Sequence, residues 1–347
     1  MGQGSGHLRL ARPLRKQDTV RRHAHNYYLM GMRRADAGAA DDARGHLQRA
    51  LEFDHAFLPA LRALADLEMA VGQFGPAAHW IEQALAAVGP DPDLFFQLGN
   101  IALNLNEPER ALAAYREAEQ LEGVTPELRF NIGLSYLFMG ESAQAEASFT
   151  GLTVEQPANP RVWDALGCAR RQRHNSTGAT AAFLKALELD PALNDARDHL
   201  AQLLLETPDL SRAQQVLESA LAIEPNRRSS LHLLGMVYAA NRDFTRAART
   251  WQRLVELGQA SPEAYQSLAA AYMRLDDRAQ ASQALMAMLE LYPEHVQAHL
   301  QLGLLLLEEG AQERGWAHLD SAARLAPDDP TVRHALDSAR ALVSRRR

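Results

Sequence analysis

Residues 160–193 read PRVWDALGCARRQRHNSTGATAAFLKALELDPAL, and the spacing inside this stretch decides the fold. Trp163, Leu166, Gly167 and Arg170 form one stripe at helical intervals, and Ala179, Phe183 and Ala186 form a second. Intervals of three and four place side chains on one face of a helix. Between the stripes, residues 173–178 are polar and turn-like. The stretch therefore predicts two helices of about 14 residues, each roughly 20 Å long. Pro191 follows the second, where a residue without an N–H stops a helix.

Stepping away from Gly167 by 34 residues returns a small residue every time: Gly31, Ala65, Gly99, Gly133, Ala201, Gly235, Ala269 and Gly303. Twelve residues after each stands another small one, from Ala43 to Gly315. Four further on comes a bulky apolar residue: Leu47, Ile81, Tyr115, Phe149, Phe183, Leu217, Trp251, Leu285 and Leu319. Proline recurs at one phase as Pro157, Pro191, Pro225, Pro293 and Pro327, and Gly89 and Gly123 take its place in two units. The register is unbroken over 24–329, as nine units: 24–57, 58–91, 92–125, 126–159, 160–193, 194–227, 228–261, 262–295 and 296–329. One helix pair cannot bury both of its apolar faces, so each unit needs its neighbours. Small residues at the crossings let helices approach closely, and the bulky residue fills the space beside them.

This pattern resembles the tetratricopeptide repeat family across 24–329. The resemblance implies an all-α fold, a right-handed α-α superhelix (solenoid) of helix–turn–helix repeats. Two phases depart from the family pattern. The eleventh position holds Arg34, Glu68 and Arg170 in repeats 1, 2 and 5, and the fourth holds Arg129, Arg197 and His299 in repeats 4, 6 and 9. Residues 330–347 read as a C-terminal capping helix with a basic end. Asp329 and Pro330 open it, and Val332, Leu336, Ala339 and Val343 form its stripe. Residues 1–23 are basic and sparsely patterned. They read as a flexible segment with a short helix near 15–22.

Composition bounds the function. The chain has 347 residues, 47% hydrophobic and only 6% aromatic. With Cys168 as its single cysteine, no internal disulfide forms, and the expected compartment is the reducing cytoplasm. No run of 18 apolar residues spans a membrane. Net charge is −7, although residues 1–23 carry six cations against one aspartate and residues 345–347 are three arginines. The body between is thus strongly acidic, which argues against nucleic acid as partner. With two lysines among 36 basic residues, the codon usage points to a GC-rich bacterial source. No catalytic domain fits in the two ends. The pair His23 and His25 lacks further ligands at zinc spacing, and Cys168 has no histidine at a triad-like spacing. No phosphate-cradling glycine motif occurs. The expectation is no enzyme, no cofactor, no metal and no small-molecule substrate.

In this family the first helix of each repeat lines the concave surface. Its second, fifth, sixth, ninth, twelfth and thirteenth positions are free of packing duty. Repeats 3 to 5 stand out there. Repeat 3 offers Phe96, Asn100, Leu103 and Asn104, and repeat 4 offers Phe130, Asn131, Leu134, Leu137 and Phe138. Repeat 5 offers Arg161, Asp164, Cys168, Arg171 and Gln172. The partner-binding groove is accordingly assigned to Phe96, Asn100, Asn104, Phe130, Asn131, Leu134, Phe138, Arg161 and Arg171, as a docking patch for a protein or peptide segment. Asn100 and Asn131 suit a peptide backbone, and Arg161 a carboxylate. Some family members clamp a C-terminal carboxylate across three repeats. Asn100, Asn131 and Arg161 match that pattern, while Phe96 and Ala165 stand where it wants Lys and Arg. A second surface is read at Leu300, Leu304 and Leu307 of repeat 9, and a third in the basic N-terminus. The leading function is a protein–protein scaffold or adaptor. The alternatives are a self-assembling structural component, a homo-oligomer, or an RNA-binding helical repeat.

Overall fold

The computed structural model describes residues 11–258 and 260–344, and every element in them is a helix. The chain falls into two compact units, residues 1–175 and 176–347. The first holds α1 (Ala11–Asp36), α2 (Ala40–Phe53), α3 (Leu58–Ala70), α4 (Phe74–Val88), α5 (Pro92–Asn104), α6 (Pro108–Glu122), α7 (Pro126–Phe138), α8 (Ser142–Glu155) and α9 (Pro160–Gln172). The second holds α10 (Ser176–Leu189), α11 (Asn194–Glu206), α12 (Leu210–Ile223), α13 (Arg228–Ala240), α14 (Phe244–Glu256), α15 (Pro262–Arg274), α16 (Arg278–Leu291), α17 (Val296–Glu308), α18 (Gln312–Leu325) and α19 (Pro330–Ser344). Within each unit, successive helices pack pairwise in chain order.

The small-against-bulky phase is a contact. A methyl group on Gly133 would stand 2.8 Å from the Phe149 ring; on Gly99 and Gly235 it would press closer still on Tyr115 and Trp251. Glycine thus admits an aromatic ring between the two helices of a repeat. Where alanine holds the phase, the bulky partner is aliphatic: Ile81 follows Ala65, Leu217 follows Ala201 and Leu285 follows Ala269.

The turn between the two helices is equally regular. The fifteenth residue of eight repeats has a positive φ of 57–89°: Gly38, Gly72, Asn106, Gly140, His174, Arg242, Asp276 and Gly310. The next residue's N–H reaches back to the eleventh position, as Gln73 does to Glu68 O at 2.8 Å, satisfying a carbonyl at the helix end. Repeat 6 has Pro208 here, whose ring excludes positive φ, yet Asp209 N–H still bonds Leu204 O at 2.9 Å.

Most of the departures from the family pattern have physical accounts. At the eleventh position, Glu68 pairs with Arg44 of the preceding repeat at 2.7 Å, and Arg170 pairs with Glu146 of the preceding repeat at 3.0 Å. Arg44 and Glu146 both occupy the twenty-first position, so a charge pair of either polarity replaces an apolar contact between neighbouring repeats. At the fourth position, the indole N–H of Trp163 donates to Pro157 O at 2.9 Å. Arg197 donates likewise to Pro191 O, and His299 Nε2–H to Pro293 O at 3.0 Å. In repeats 5, 6 and 9 the fourth position thus supplies an N–H that closes the proline turn six residues earlier, whereas Arg129 in repeat 4 pairs with Glu155. Arg197 and His299 serve as Trp163 does.

Three expectations are corrected. The helix read near 15–22 is longer than expected and joins the first repeat, because α1 runs unbroken from Ala11 to Asp36. Pro13 sits in its first turn, where a missing N–H is tolerated, and good helix formers follow. Residues 1–10 lie outside the described residues. Second, Leu300 and Leu307 are not groove-facing, since both are buried with Val332, Ala335 and Ala339 under α19. Third, first-helix positions are not all free of packing. Asp198, at the fifth position of repeat 6, is buried and accepts from Ser230 Oγ at 2.5 Å, Ser229 Oγ at 2.5 Å and Arg227 Nε at 2.8 Å.

Two histidines make the second unit acid-sensitive. Burial pushes His318 below the ordinary imidazole range, and His299 and Arg314 add to the effect; burial also lowers His232. The two rings of His299 and His318 meet Nδ1 to Nδ1 at 3.0 Å, an arrangement that needs at least one nitrogen unprotonated. The folded state therefore prefers neutral imidazoles at His232 and His318, and the unfolded chain takes up protons there first. Stability is full above the ordinary histidine pKa of about 6.5 and falls as pH drops through it. The melting temperature at pH 5.5 is expected below that at pH 7.5, with a smaller gap in His318→Gln. Equal gaps in both proteins would contradict this assignment.

Candidate functional site

The assigned groove residues all lie in the first unit. Thr125 and Asn159 cap α7 and α9 through their side chains, accepting from Leu128 N–H at 3.1 Å and Arg161 N–H at 3.1 Å. These caps satisfy orphan donors at the helix starts and fix where α7 and α9 begin. Beside those starts opens a cavity of about 300 Å³, lined by Phe96, Pro126, Glu127, Phe130, Asn131, Gln156, Asn159 and Arg161. Four of the nine assigned residues thus share one cavity wall.

The two aromatic walls are braced from behind. Phe96 lies against the Tyr115 ring at 5.8 Å between centroids, and Phe130 meets Phe149 edge-on at 5.5 Å. Tyr115 and Phe149 are the bulky residues that Gly99 and Gly133 admit, so the repeat core positions the cavity walls.

The two asparagines do not both face outward. Asn131 Nδ2–H donates to Asn100 Oδ1 at 3.0 Å, and the Tyr115 hydroxyl donates to the same oxygen at 2.7 Å. One amide oxygen thus receives both donors, which fixes the orientation of each amide. Burial raises the Tyr115 pKa, so its hydroxyl keeps its proton. Asn100 Nδ2–H and Asn131 Oδ1 have no partner among the described residues.

The remaining assigned residues divide. Arg161 is exposed at the cavity, and its guanidinium makes no ion pair among the described residues. Phe138, at the end of α7, is 61% exposed, while Leu134 and Leu137 are half-buried. The apolar face of α7 is therefore largely packed, and Phe138 alone projects. Asn104 does not reach the cavity wall: its Nδ2–H donates to Asn100 O of its own helix at 2.9 Å. Arg171 is half-buried in the last turn of α9, away from the lining residues. Gln172 donates to Leu137 O at 3.1 Å, tying α9 to α7.

Sequence reasoning missed Tyr115, Gln156 and Asn159. Tyr115 carries the one signal that was legible, being the only tyrosine at the bulky phase. Gln156 and Asn159 lie in the link between α8 and α9, outside any helical periodicity.

The tetratricopeptide repeat model matches residues 62–123 and 267–330, and the model of the cytochrome c-type biogenesis protein H TPR domain matches residues 150–265. Together they cover more than half of the chain. The chain belongs to the tetratricopeptide repeat family. It is 24% identical over 250 residues to the TPR repeat-containing protein YpiA of Bacillus subtilis, covering 72% of this chain and 51% of that protein. It is 25% identical over 277 residues to the protein CTR9 homolog of Arabidopsis thaliana, covering 74% of this chain and 25% of that protein. The chain thus spans about half the length of the first relative and a quarter of the second. Among solved structures, a tetratricopeptide repeat protein from Parabacteroides merdae superposes with a TM-score of 0.65 at 17% identity, covering 72% of this chain and 99% of that one. PilW, a type IV pilus biogenesis factor, superposes at 0.52 with 18% identity, covering 61% and 98%. These likenesses concern the fold. Tetratricopeptide repeat proteins generally mediate protein–protein interactions and are generally non-catalytic. No described helix of this one is long and apolar enough to cross a membrane.

Proposed function

We propose that this tetratricopeptide repeat protein is a non-catalytic interaction module that holds an extended segment of a partner protein across repeats 3 to 5. The Asn100–Asn131 pair carries the reading. Their mutual bond leaves the Asn100 Nδ2–H and the Asn131 Oδ1 unpartnered on neighbouring repeats, a donor and an acceptor of the kinds that complement a peptide C=O and N–H. Tyr115 holds the pair before any ligand arrives, which lowers the ordering cost of binding. The cavity between Phe96 and Phe130 then takes a side chain, and Arg161 meets a carboxylate on the segment.

The test uses a peptide selected from a displayed random library on the immobilised full-length chain. Asn131→Ala is expected to weaken that peptide about tenfold or more, as an unsatisfied buried peptide group costs about 1–3 kcal/mol. Tyr115→Phe is expected to weaken it less, since it acts only by loosening Asn100. Arg161→Glu is expected to shift selection away from acidic peptides. Unchanged affinity for Asn131→Ala and Phe130→Ala would overturn the reading. Concentration-dependent light scattering abolished by the same substitutions would make the occupant a second copy of the chain.

A further inference from the structure

The second unit carries a cavity of about 620 Å³, roughly twice the volume of the one beside Phe130. It opens on the first helices of repeats 7 to 9, with α15 as its floor and α13 and α17 as its flanks. Small residues make the room: Ala239 on α13, and Ser267, Ala270 and Ala271 on α15. Phe244, Trp251 and Leu304 wall it, and the half-exposed Met273 is an adaptable apolar surface at its edge. A pocket of this size and lining is the ordinary setting for a ligand or a cluster of docking side chains.

Polar side chains gather toward its two ends, with Ser267 next to Gln266 on the floor. Gln266 and Gln301 stand at one end, and neither amide has a hydrogen-bond partner among the described residues. Arg274 and Glu308 stand at the other. Glu308 faces Arg278 at 3.7 Å, whereas Arg274 makes no ion pair among the described residues. Its guanidinium rests over the Phe244 ring at 5.3 Å, which holds the cation at the rim. From Gln266 to Arg274 the floor runs eight residues, about 12 Å at the helical rise.

That distribution discriminates between backbone conformations. An extended segment laid along 12 Å would bring about four residues over the floor, whose middle is lined by Ala269, Ala270, Ala271, Met273, Leu304 and Leu305 and offers their main-chain groups no side-chain donor or acceptor. A helix satisfies its own backbone and presents side chains alone. Two residues at i and i+4 are about 6 Å apart along a helix and fit the floor together. A residue one turn further reaches the end where Arg274 waits.

We propose that this cavity docks an amphipathic helix of a partner protein, with two large apolar side chains one turn apart in the cavity and a carboxylate beyond them on Arg274. The site differs in kind from the Asn100–Asn131 groove, which offers main-chain partners, and the inference does not rest on that reading.

The test uses the full-length chain and a fluorescein-labelled, alanine-based helical peptide of about 18 residues, long enough to hold helix in water. It carries leucines at i and i+4 and a glutamate at i+8. Saturable fluorescence anisotropy is expected with wild type. Ala270 is exposed, so Ala270→Trp fills the cavity without entering the core; it is expected to weaken binding at least tenfold while leaving the circular dichroism and melting temperature unchanged. Arg274→Glu is expected to weaken the glutamate peptide and to restore affinity for a peptide with lysine at i+8. This charge swap keeps the proposal testable should Ala270→Trp disturb folding. Phe130→Ala and Asn131→Ala are expected to leave this probe unaffected. No binding to wild type, or equal binding of a peptide with serines for leucines, overturns the proposal. So does saturable binding of decanoate without binding of the peptide, and so does self-association that Ala270→Trp abolishes.

Discussion

Replacing Asp198 with alanine is expected to destabilise the second unit by about 3–5 kcal/mol, the usual cost of removing one partner from a buried charge pair. Asp198 is 4% exposed and accepts three side-chain donors, two from the next repeat and one, Arg227, from the last residue of its own. Two of them, Ser229 and Ser230, stand in the first turn of α13, and Arg227 directly precedes that helix. Arg227 in turn donates to Asp195 at 2.5 Å. Without the carboxylate, Ser230 loses its acceptor at a fully buried site, and Arg227 loses its better-buried partner. Amide hydrogen exchange is the suitable measurement, because repeat arrays open locally rather than all at once. Exchange in α13 should accelerate more than in α17. Asp198→Asn keeps an acceptor for one hydroxyl and should lose less. A loss below about 1 kcal/mol for Asp198→Ala would show that solvent replaces the carboxylate and that the network is incidental.

The second large effect is expected at Gly235. A methyl there runs into the Trp251 ring, whose side chain is almost fully buried, so Gly235→Ala should cost about 1–3 kcal/mol through overpacking. The chain itself suggests the rescue. Repeats 6 and 8 combine alanine at this phase with leucine sixteen residues later, as Ala201 with Leu217 and Ala269 with Leu285. The double variant Gly235→Ala with Trp251→Leu should therefore be more stable than Gly235→Ala alone. Urea unfolding of the four proteins gives the coupling between the two sites. Additive losses would mean that the ring moves aside freely and that the phase is not a steric pairing.

The fold was legible because its cause is periodic. Small and bulky residues at fixed phases are read one residue at a time, and they determine helix pairing. What was not legible depends on a partner elsewhere in the chain. Glu68 and Arg170 look like departures until Arg44 and Glu146 are brought beside them. Arg197 and His299 look like losses of an aromatic, yet each aims an N–H at a proline carbonyl as Trp163 does. The groove was half legible for the same reason. Position in the repeat put Phe96, Phe130, Asn131 and Arg161 on one face, and one cavity collects them. It could not reveal that Asn100 answers Tyr115 and Asn131, that Asn104 bonds its own helix, or that Leu300 and Leu307 are covered by α19. The basic N-terminal stretch hid the full extent of its helix because it lacks an apolar stripe, although its residues are good helix formers.

The charge pairs between the twenty-first and eleventh positions bear on how such a chain can be rearranged. Gly235 and Trp251 belong to one repeat, so they travel together whenever that repeat is moved. Arg44 and Glu68 belong to different repeats, and so do Glu146 and Arg170, with the signs reversed. Exchanging repeats 2 and 5 would set arginine against arginine at one junction and glutamate against glutamate at the other. These two junctions thus carry an address each, which distinguishes the module that follows repeat 1 from the one that follows repeat 4.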